Sequence, residues 1–343
     1  MALNLAGNTK WELTNVESPH INHPVPTVAA LDVPYVQDGH RFRTLNIYLP
    51  RTEETSKVIG TPVSSIAGSS PADGLPRWQV HIHGGAWRDP DLTARSIEPA
   101  VAHAFSDPSK SIDAIISINY TLSPFPSHPS LPHDPIKGGS PDPAREGRHP
   151  DHVRDVLRAF AFLRTLGLRD DSYILTGHSA GACLVFQSIL NHPSAWGIED
   201  LDDPPRPAAL LGMNGLYDLP DLVDGLGASH ASLAEVYRDL QGHAFGVGRG
   251  QWEAASPARV PLDKLSERVS RGRTPRLIII DQSDEDQLVP MNQADKLETH
   301  LRGVKGLQVV RGSRCSGRHA APWEEGVMIW DGVKDVLKQI ARS

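Results

Sequence analysis

A serine between two glycines, Gly177-His178-Ser179-Ala180-Gly181, separates one apolar run (Tyr173 to Thr176) from another (Ala182 to Phe186). Glycines on both sides allow a turn too sharp for larger side chains. Where a strand gives way to a helix, such a turn holds the serine out at the strand's C-terminal edge, and the first N–H groups of the helix point to the same spot. Ser179 is therefore the candidate nucleophile; a turn that merely connects two core elements is the alternative.

A serine hydroxyl needs a base, and the oxyanion of an acyl transition state needs donors. The segment His83-Gly84-Gly85-Ala86-Trp87 follows another strand-like run. Its glycines have no side chain to obstruct approach, so the N–H groups of Gly84 and Gly85, with that of Ala180, are the candidate oxyanion donors. The remaining partners should follow as an acid and then a histidine. Four acids lie in one stretch, Asp281, Asp284, Glu285 and Asp286. Asp281 ends a strand and comes too early, which favours Asp286, with Asp284 in reserve. His319 sits between the last strand and the last helix, where a general base belongs, whereas His300 falls in a helical pattern. Trp87 has two readings, a surface for an aromatic leaving group or a core aromatic.

Other histidines raise a metal reading. His81, His83 and His178 lie at converging strand ends, and His149 and His152 have helix spacing, but no carboxylate or thiolate joins them at ligand spacing. No metal is expected; His83 and His178 are assigned to bracing the tight loops by hydrogen bonds.

Positioning these groups takes a scaffold. Strands are expected at 31–36, 43–50, 77–83, 113–119, 173–178, 208–214, 276–281 and 307–312. Most are apolar throughout, as in parallel strands covered on both faces. Helical patterns intervene: Val153, Val156, Leu157, Phe160 and Leu163 share one face, with Pro150 at the first helical position, and others follow Ser179, start at 292 and close the chain. Alternation of this kind predicts one domain over 1–343, a doubly wound α/β fold with a mostly parallel central sheet. The Ser-, Gly- and Pro-rich stretch 51–76 reads as a mobile surface insertion. The segments 121–150 and 217–260 read as material over the C-terminal edge of the sheet.

The chain has 34 basic and 41 acidic residues, a formal net charge of -7, which argues against nucleic acid or an anionic membrane as partner. A small-molecule substrate is the expected partner, and a homodimer the form of self-association allowed for. Two cysteines, Cys183 and Cys315, make neither a disulfide framework nor a zinc pattern. With no signal-peptide pattern and no membrane-spanning run read from the sequence, the expected location is cytoplasmic.

Taken together, HIHGGAWRDP (81–90), ISINYTLSP (116–124), HPDHVRDVL (149–157), TGHSAGACLVFQ (176–187), GLYDLPDL (215–222) and the Asp286 and His319 loops resemble the fungal kynurenine formamidases (arylformamidases) of the α/β-hydrolase superfamily. The likeness covers roughly residues 75 to 340. It implies an α/β-hydrolase fold, a triad of Ser179, Asp286 and His319, oxyanion donors at Gly84, Gly85 and Ala180, and hydrolysis of N-formyl-L-kynurenine to kynurenine and formate without a cofactor. Thr121 replaces an arginine of the family pattern, and alanines follow His319 where acidic residues are common. The competing expectations are a carboxylesterase of the His-Gly-Gly type, a paralogue with another substrate in a specialised biosynthetic pathway, and a hydrolase-fold protein that binds a ligand or acts non-hydrolytically.

Overall fold

The computed structural model of the protein describes residues 8–37, 39–64, 66, 74–138 and 140–342. Nine strands form one sheet: β1 (Glu12–Ser18), β2 (Ile21–Pro34), β3 (Thr44–Pro50), β4 (Trp78–Ile82), β5 (Ala114–Ile118), β6 (Tyr173–His178), β7 (Ala209–Met213), β8 (Leu277–Asp281) and β9 (Gln308–Arg311). Their spatial order is β1-β2-β3-β5-β4-β6-β7-β8-β9. The first three pair antiparallel, as do β3 and β5, and every pair from β5 to β9 is parallel. Because β5 lies on one side of β4 and β6 on the other, the winding reverses there. Open α/β sheets bind ligands outside the strand ends at such a point, and here the ends of β4 and β6 carry HGGAW and GHSAG.

The apolar strands are explained by two cores. All residues of β4 to β8 are buried. Val80, Ile82, Leu210, Ile278 and Ile280 face one core, while Ile115, Ile174, Leu211 and Ile279 face the other. The helices Asp151–Leu166 and Ala180–Leu190 cover the first face. Val153, Val156, Leu157, Phe160 and Leu163 are each 3% exposed or less, as their shared face predicts. The helices Glu98–Ser106 and Val327–Ile340 cover the second.

Two expectations at the margins are corrected. The strand expected at 31–36 is the end of the much longer β2, and residues 12–18, for which no strand was expected, form β1 beside it. As the edge strand, β1 buries only Val16 and Ser18, too few for an apolar signature. Pro150 caps the helix rather than occupying its first turn, which begins at Asp151. The described part of 51–76 packs against the rest of the fold. Thr52 caps a short helix, Glu53–Ser56; Trp11 N–H bonds Thr61 O (3.1 Å) and Gly60 N–H bonds Trp11 O (2.8 Å); Val63 and Ile66 are 1% and 4% exposed in the core. The rest of that stretch, residues 65 and 67–73, lies outside the described residues.

Trp11 pins this segment to the sheet from a nearly enclosed site, 3% exposed. Trp11→Ala should therefore lower stability by about 3–5 kcal/mol, read as a lower urea midpoint with faster proteolysis within 51–64. A loss below about 1 kcal/mol, the range of ordinary surface changes, would contradict the anchoring.

Candidate active site

The turn after β6 is as sharp as its glycines imply. Ser179 has φ 55° and ψ −122°, a left-handed conformation rare for any residue with a side chain. Its N–H bonds Met213 O (2.9 Å), and its carbonyl accepts the N–H groups of Ala182 and Cys183 (3.0 and 3.3 Å). A Cβ on Gly181 would lie 2.0 Å from Ile82 O and 2.4 Å from His83 O; one on Gly177 would lie 2.6 Å from Gly181 O. Both positions require glycine because the helix start presses against the end of β4.

That pressure brings HGGAW beside the serine. A Cβ on Gly84 would stand 3.1 Å from the Ser179 Cβ. Gly85, Ala86 and Trp87 have φ values of 95°, 49° and 60°, so the loop coils tightly. The N–H groups of Gly84, Gly85 and Ala180 make no hydrogen bond among the described residues. Gly85 and Ala86 both line the cavity that contains Ser179. Two supports for this loop were not singled out in the sequence, although both stand in NYTLSP. Tyr120 OH donates to Gly84 O (2.9 Å), its ring stacked on His83 at 4.6 Å, and Ser123 N–H bonds Trp87 O (2.8 Å).

Trp87 itself is corrected. It is fully buried, meets the Phe245 ring edge-on at 4.8 Å, belongs to the core and does not line the cavity. The left-handed turn directs its indole inward, which decides for the core reading.

The acid and base converge from loops after β8 and β9. His319 Nδ1–H donates to Asp286 Oδ2 at 2.7 Å. Gln282 Nε2 donates to the same oxygen (3.1 Å), and the N–H groups of Leu288 and Val289 donate to Oδ1 (2.8 and 2.9 Å). Four donors thus converge on a carboxylate that is only 4% exposed. Asp284 is exposed and makes no contact with His319 among the described residues, and Glu285 accepts Gly317 N–H (2.9 Å). Asp281 is braced elsewhere: it accepts the N–H groups of Arg314 and Cys315 (2.8 and 3.2 Å), with its carboxyl pushed up by burial.

The base loop is clamped to the turn after β6 by His178, assigned to bracing from the sequence, and by two residues that the sequence offered no pattern to find, Asn214 and Gln287. His178 Nε2–H and Asn214 Nδ2 both donate to His319 O (2.8 and 3.3 Å), Gln287 Oε1 accepts His319 N–H (2.9 Å), and the His178 and His319 rings are 4.7 Å apart. Asn214 Oδ1 also accepts Ser283 N–H (3.0 Å), which joins the acid loop to the base loop. Ser179, His178 and His319 thus line one cavity of about 300 Å³.

The rest of the cavity is mostly apolar. Phe125, from 121–150, forms one wall; Leu233, Val236, Tyr237 and Leu240, from 217–260, form another. Both insertions thus stand over the sheet edge. The covering helices are tied to the acid loop: Tyr237, on the helix Ala234–Phe245, donates its OH to Leu288 O (2.7 Å), and His230, at the end of the short helix Gly227–His230, donates Nε2–H to Asp286 O (2.9 Å). Thr121 does not line the cavity; its N–H and hydroxyl both donate to the fully buried Asp155.

Of the histidines in the metal reading, His149 packs its ring against Trp196 and Phe245, and the others make hydrogen bonds. His83 Nδ1–H donates to Gly84 O (2.9 Å), while His81 pairs with Thr176 Oγ1 and His152 with Ser123 Oγ, both at 2.9 Å. One other group, Asp89, Asp91 and His128, has donor atoms within 4.8 Å of one another. There His128 Nδ1 accepts Leu131 N–H (3.0 Å), so the neutral ring carries its proton on Nε2, toward the carboxylates at 3.4 and 3.5 Å. A protonated nitrogen has no lone pair for a metal.

No protein-family model matches the chain. Among named proteins it is similar to the kynurenine formamidase-like hydrolase fscH of Fusarium equiseti, 30% identical over 302 residues, 86% of this chain and 89% of that protein. It is also similar to the kynurenine formamidase avaC of Aspergillus versicolor, 32% identical over 244 residues, 67% of this chain and 77% of that protein. Among solved structures it resembles an esterase B from Lactobacillus rhamnosis (TM-score 0.59, 13% identity, 92% and 88% of the two chains) and a truncated carbohydrate esterase from gut microbiota (TM-score 0.57, 17% identity, 92% and 96%). These neighbours establish the α/β-hydrolase fold.

The buried histidines also set a pH limit. Burial lowers the pKa of His81 to about 3, that of His83 to about 4 and that of His152 to about 3, and lowers that of His178 as well. The unfolded imidazole, near 6.5, binds a proton first as pH falls, so stability is whole above about 6.5 and is lost below it. Each histidine contributes a slope of about 1.4 kcal/mol per pH unit, or about 6 kcal/mol for the first three by pH 5, comparable to a whole domain's stability. Urea midpoints at pH 7, 6 and 5 should fall steeply; a flat series would refute the neutral, buried assignment.

Proposed function

This chain belongs to the kynurenine formamidase family of α/β-hydrolases, and from that premise we propose that it hydrolyses an aryl formamide, N-formyl-L-kynurenine or a close analogue, through a formyl-serine intermediate. The observation that carries the reading is the 2.7 Å bond from Asp286 to His319 at a cavity that Ser179 also lines.

In this mechanism His319 Nε2 takes the Ser179 proton as Oγ attacks the formyl carbon. Asp286 holds the Nδ1–H tautomer and stabilises the imidazolium. The N–H groups of Gly84, Gly85 and Ala180 receive the oxyanion. As the C–N bond breaks, His319 returns the proton to the departing arylamine. Water, deprotonated by the same histidine, then attacks the formyl ester and releases formate with Ser179 restored. The apolar walls suit an aromatic leaving group. No helix of the described residues is long and apolar enough to cross a membrane, and both cysteines are free and buried, which supports placing the enzyme in the reducing cytoplasm.

Ser179→Ala should lower kcat/KM by about 10⁴-fold or more, and a fluorophosphonate should label Ser179 and no other serine. Full activity in that variant would remove the nucleophile assignment. Formate release from N-formyl-L-kynurenine should exceed hydrolysis of short aryl acetates, and the opposite preference would favour a carboxylesterase.

A further inference from the structure

The reading above leaves open which residues hold the end of the substrate away from the formamide. Outside the Ser179–His319 end, the described cavity wall is apolar but for two consecutive charged residues, Arg88 and Asp89. Both are fixed relative to the catalytic loop, since their N–H groups share Gly85 O as acceptor at 2.9 Å.

Arg88 is unusual for a surface-derived cation. It is only 5% exposed, its guanidinium lies 4.0 Å from the centre of the Phe125 ring, and Nη1 donates to Asp239 Oδ2 at 2.6 Å. Asp239 is itself 46% exposed at its side chain, so it compensates the buried charge from the solvent side. The guanidinium makes no other hydrogen bond among the described residues, yet none of its nitrogens is sealed from solvent without a partner. Its remaining donors are reached by solvent, on a residue that lines the cavity. A guanidinium held flat by an aromatic face and one carboxylate is preorganised to take a second carboxylate in its fork. Beside it, Asp89 offers the opposite charge, its Oδ1 accepting only the Asp91 N–H (3.0 Å) and facing His128 Nε2 at 3.4 Å.

We propose that Arg88 and Asp89 recognise a free α-amino acid on the substrate's side arm, Arg88 pairing with its carboxylate and Asp89 with its ammonium. The proposal rests on the formamidase reading of the same cavity and narrows it: the preferred aryl formamide carries a zwitterionic arm and not a neutral or amide-blocked one.

The test compares three formamides on the wild-type chain: N-formyl-L-kynurenine, its carboxamide, which removes the negative charge, and 2′-formamidoacetophenone, which lacks the arm. The free acid should exceed the carboxamide in kcat/KM by about 10- to 100-fold, the range for a charge-assisted hydrogen-bond pair. In Arg88→Met that preference should collapse to within about 3-fold, mainly through KM, and Arg88→Lys should retain part of it. Asp89→Asn should weaken both substrates with an ammonium relative to the one without. A wild-type enzyme indifferent to the carboxylate overturns the proposal without needing a variant, as does an Arg88→Met enzyme that loses all three activities equally and keeps its preference. Cleavage of the armless formamide with no preference for the acid removes only the arm assignment. Failure on every formamide alongside good ester hydrolysis removes the formamidase reading itself.

Discussion

The architecture of the site depends on one close approach, the backbone of Gly181 against the carbonyls of Ile82 and His83. There is no room for a Cβ, since 2.0 Å to an oxygen is far inside any contact distance. This approach forces the strained conformation of Ser179 and draws the two neighbouring strand ends together at the point where the winding reverses. Gly84 is packed against Ser179 at the same junction, where a Cβ would stand 3.1 Å from the serine Cβ. The strain is maintained by the two buried cores on either side of the sheet.

Around this fixed point, buried polar groups hold the loops. His83 and His178, at the ends of β4 and β6, bond directly to the carbonyls of Gly84 and His319, while His81 links β4 to β6 and His152 links a helix to Ser123. The acid and base loops are cross-linked through Asn214, His178 and Gln287. A loop clamped at its backbone holds the His319 imidazole beside Asp286 on the wall of the cavity that Ser179 lines. The cover is tied to the same acid loop twice, through Tyr237 on the helix Ala234–Phe245 and through His230 on the short helix before it, so any opening of the cover acts on the segment that carries Asp286.

The cavity divides its work by polarity. Near Ser179 lie the unpaired amides and the imidazole; the walls are aliphatic and aromatic; charge returns on the turn that continues the oxyanion loop. A single stretch, residues 83–89, therefore runs from His83, which braces the loop, through the amides of Gly84 and Gly85 to the pair Arg88 and Asp89. Trp87 is the exception within it: it turns inward and fills the core beneath the loop.

Much of this was legible before any coordinates. Continuous apolar strands, helices with one apolar face and the glycines around Ser179 are local signals, set by sterics and periodicity within a few residues, and they determined the fold class, the turn and the chain order of Ser179, Asp286 and His319. What they left undecided were relations between residues far apart in the chain. The choice of Asp286 over Asp284 depends on which carboxylate meets a ring 33 residues later; the burial of Trp87 depends on Phe245; the anchoring of 51–64 depends on Trp11. Tyr120, Asn214 and Gln287 left no recognisable pattern, because a single hydrogen bond to a distant carbonyl or amide imposes no periodicity on its own neighbourhood. Only the packed sheet brings such partners within bonding distance, so only the tertiary structure decided them.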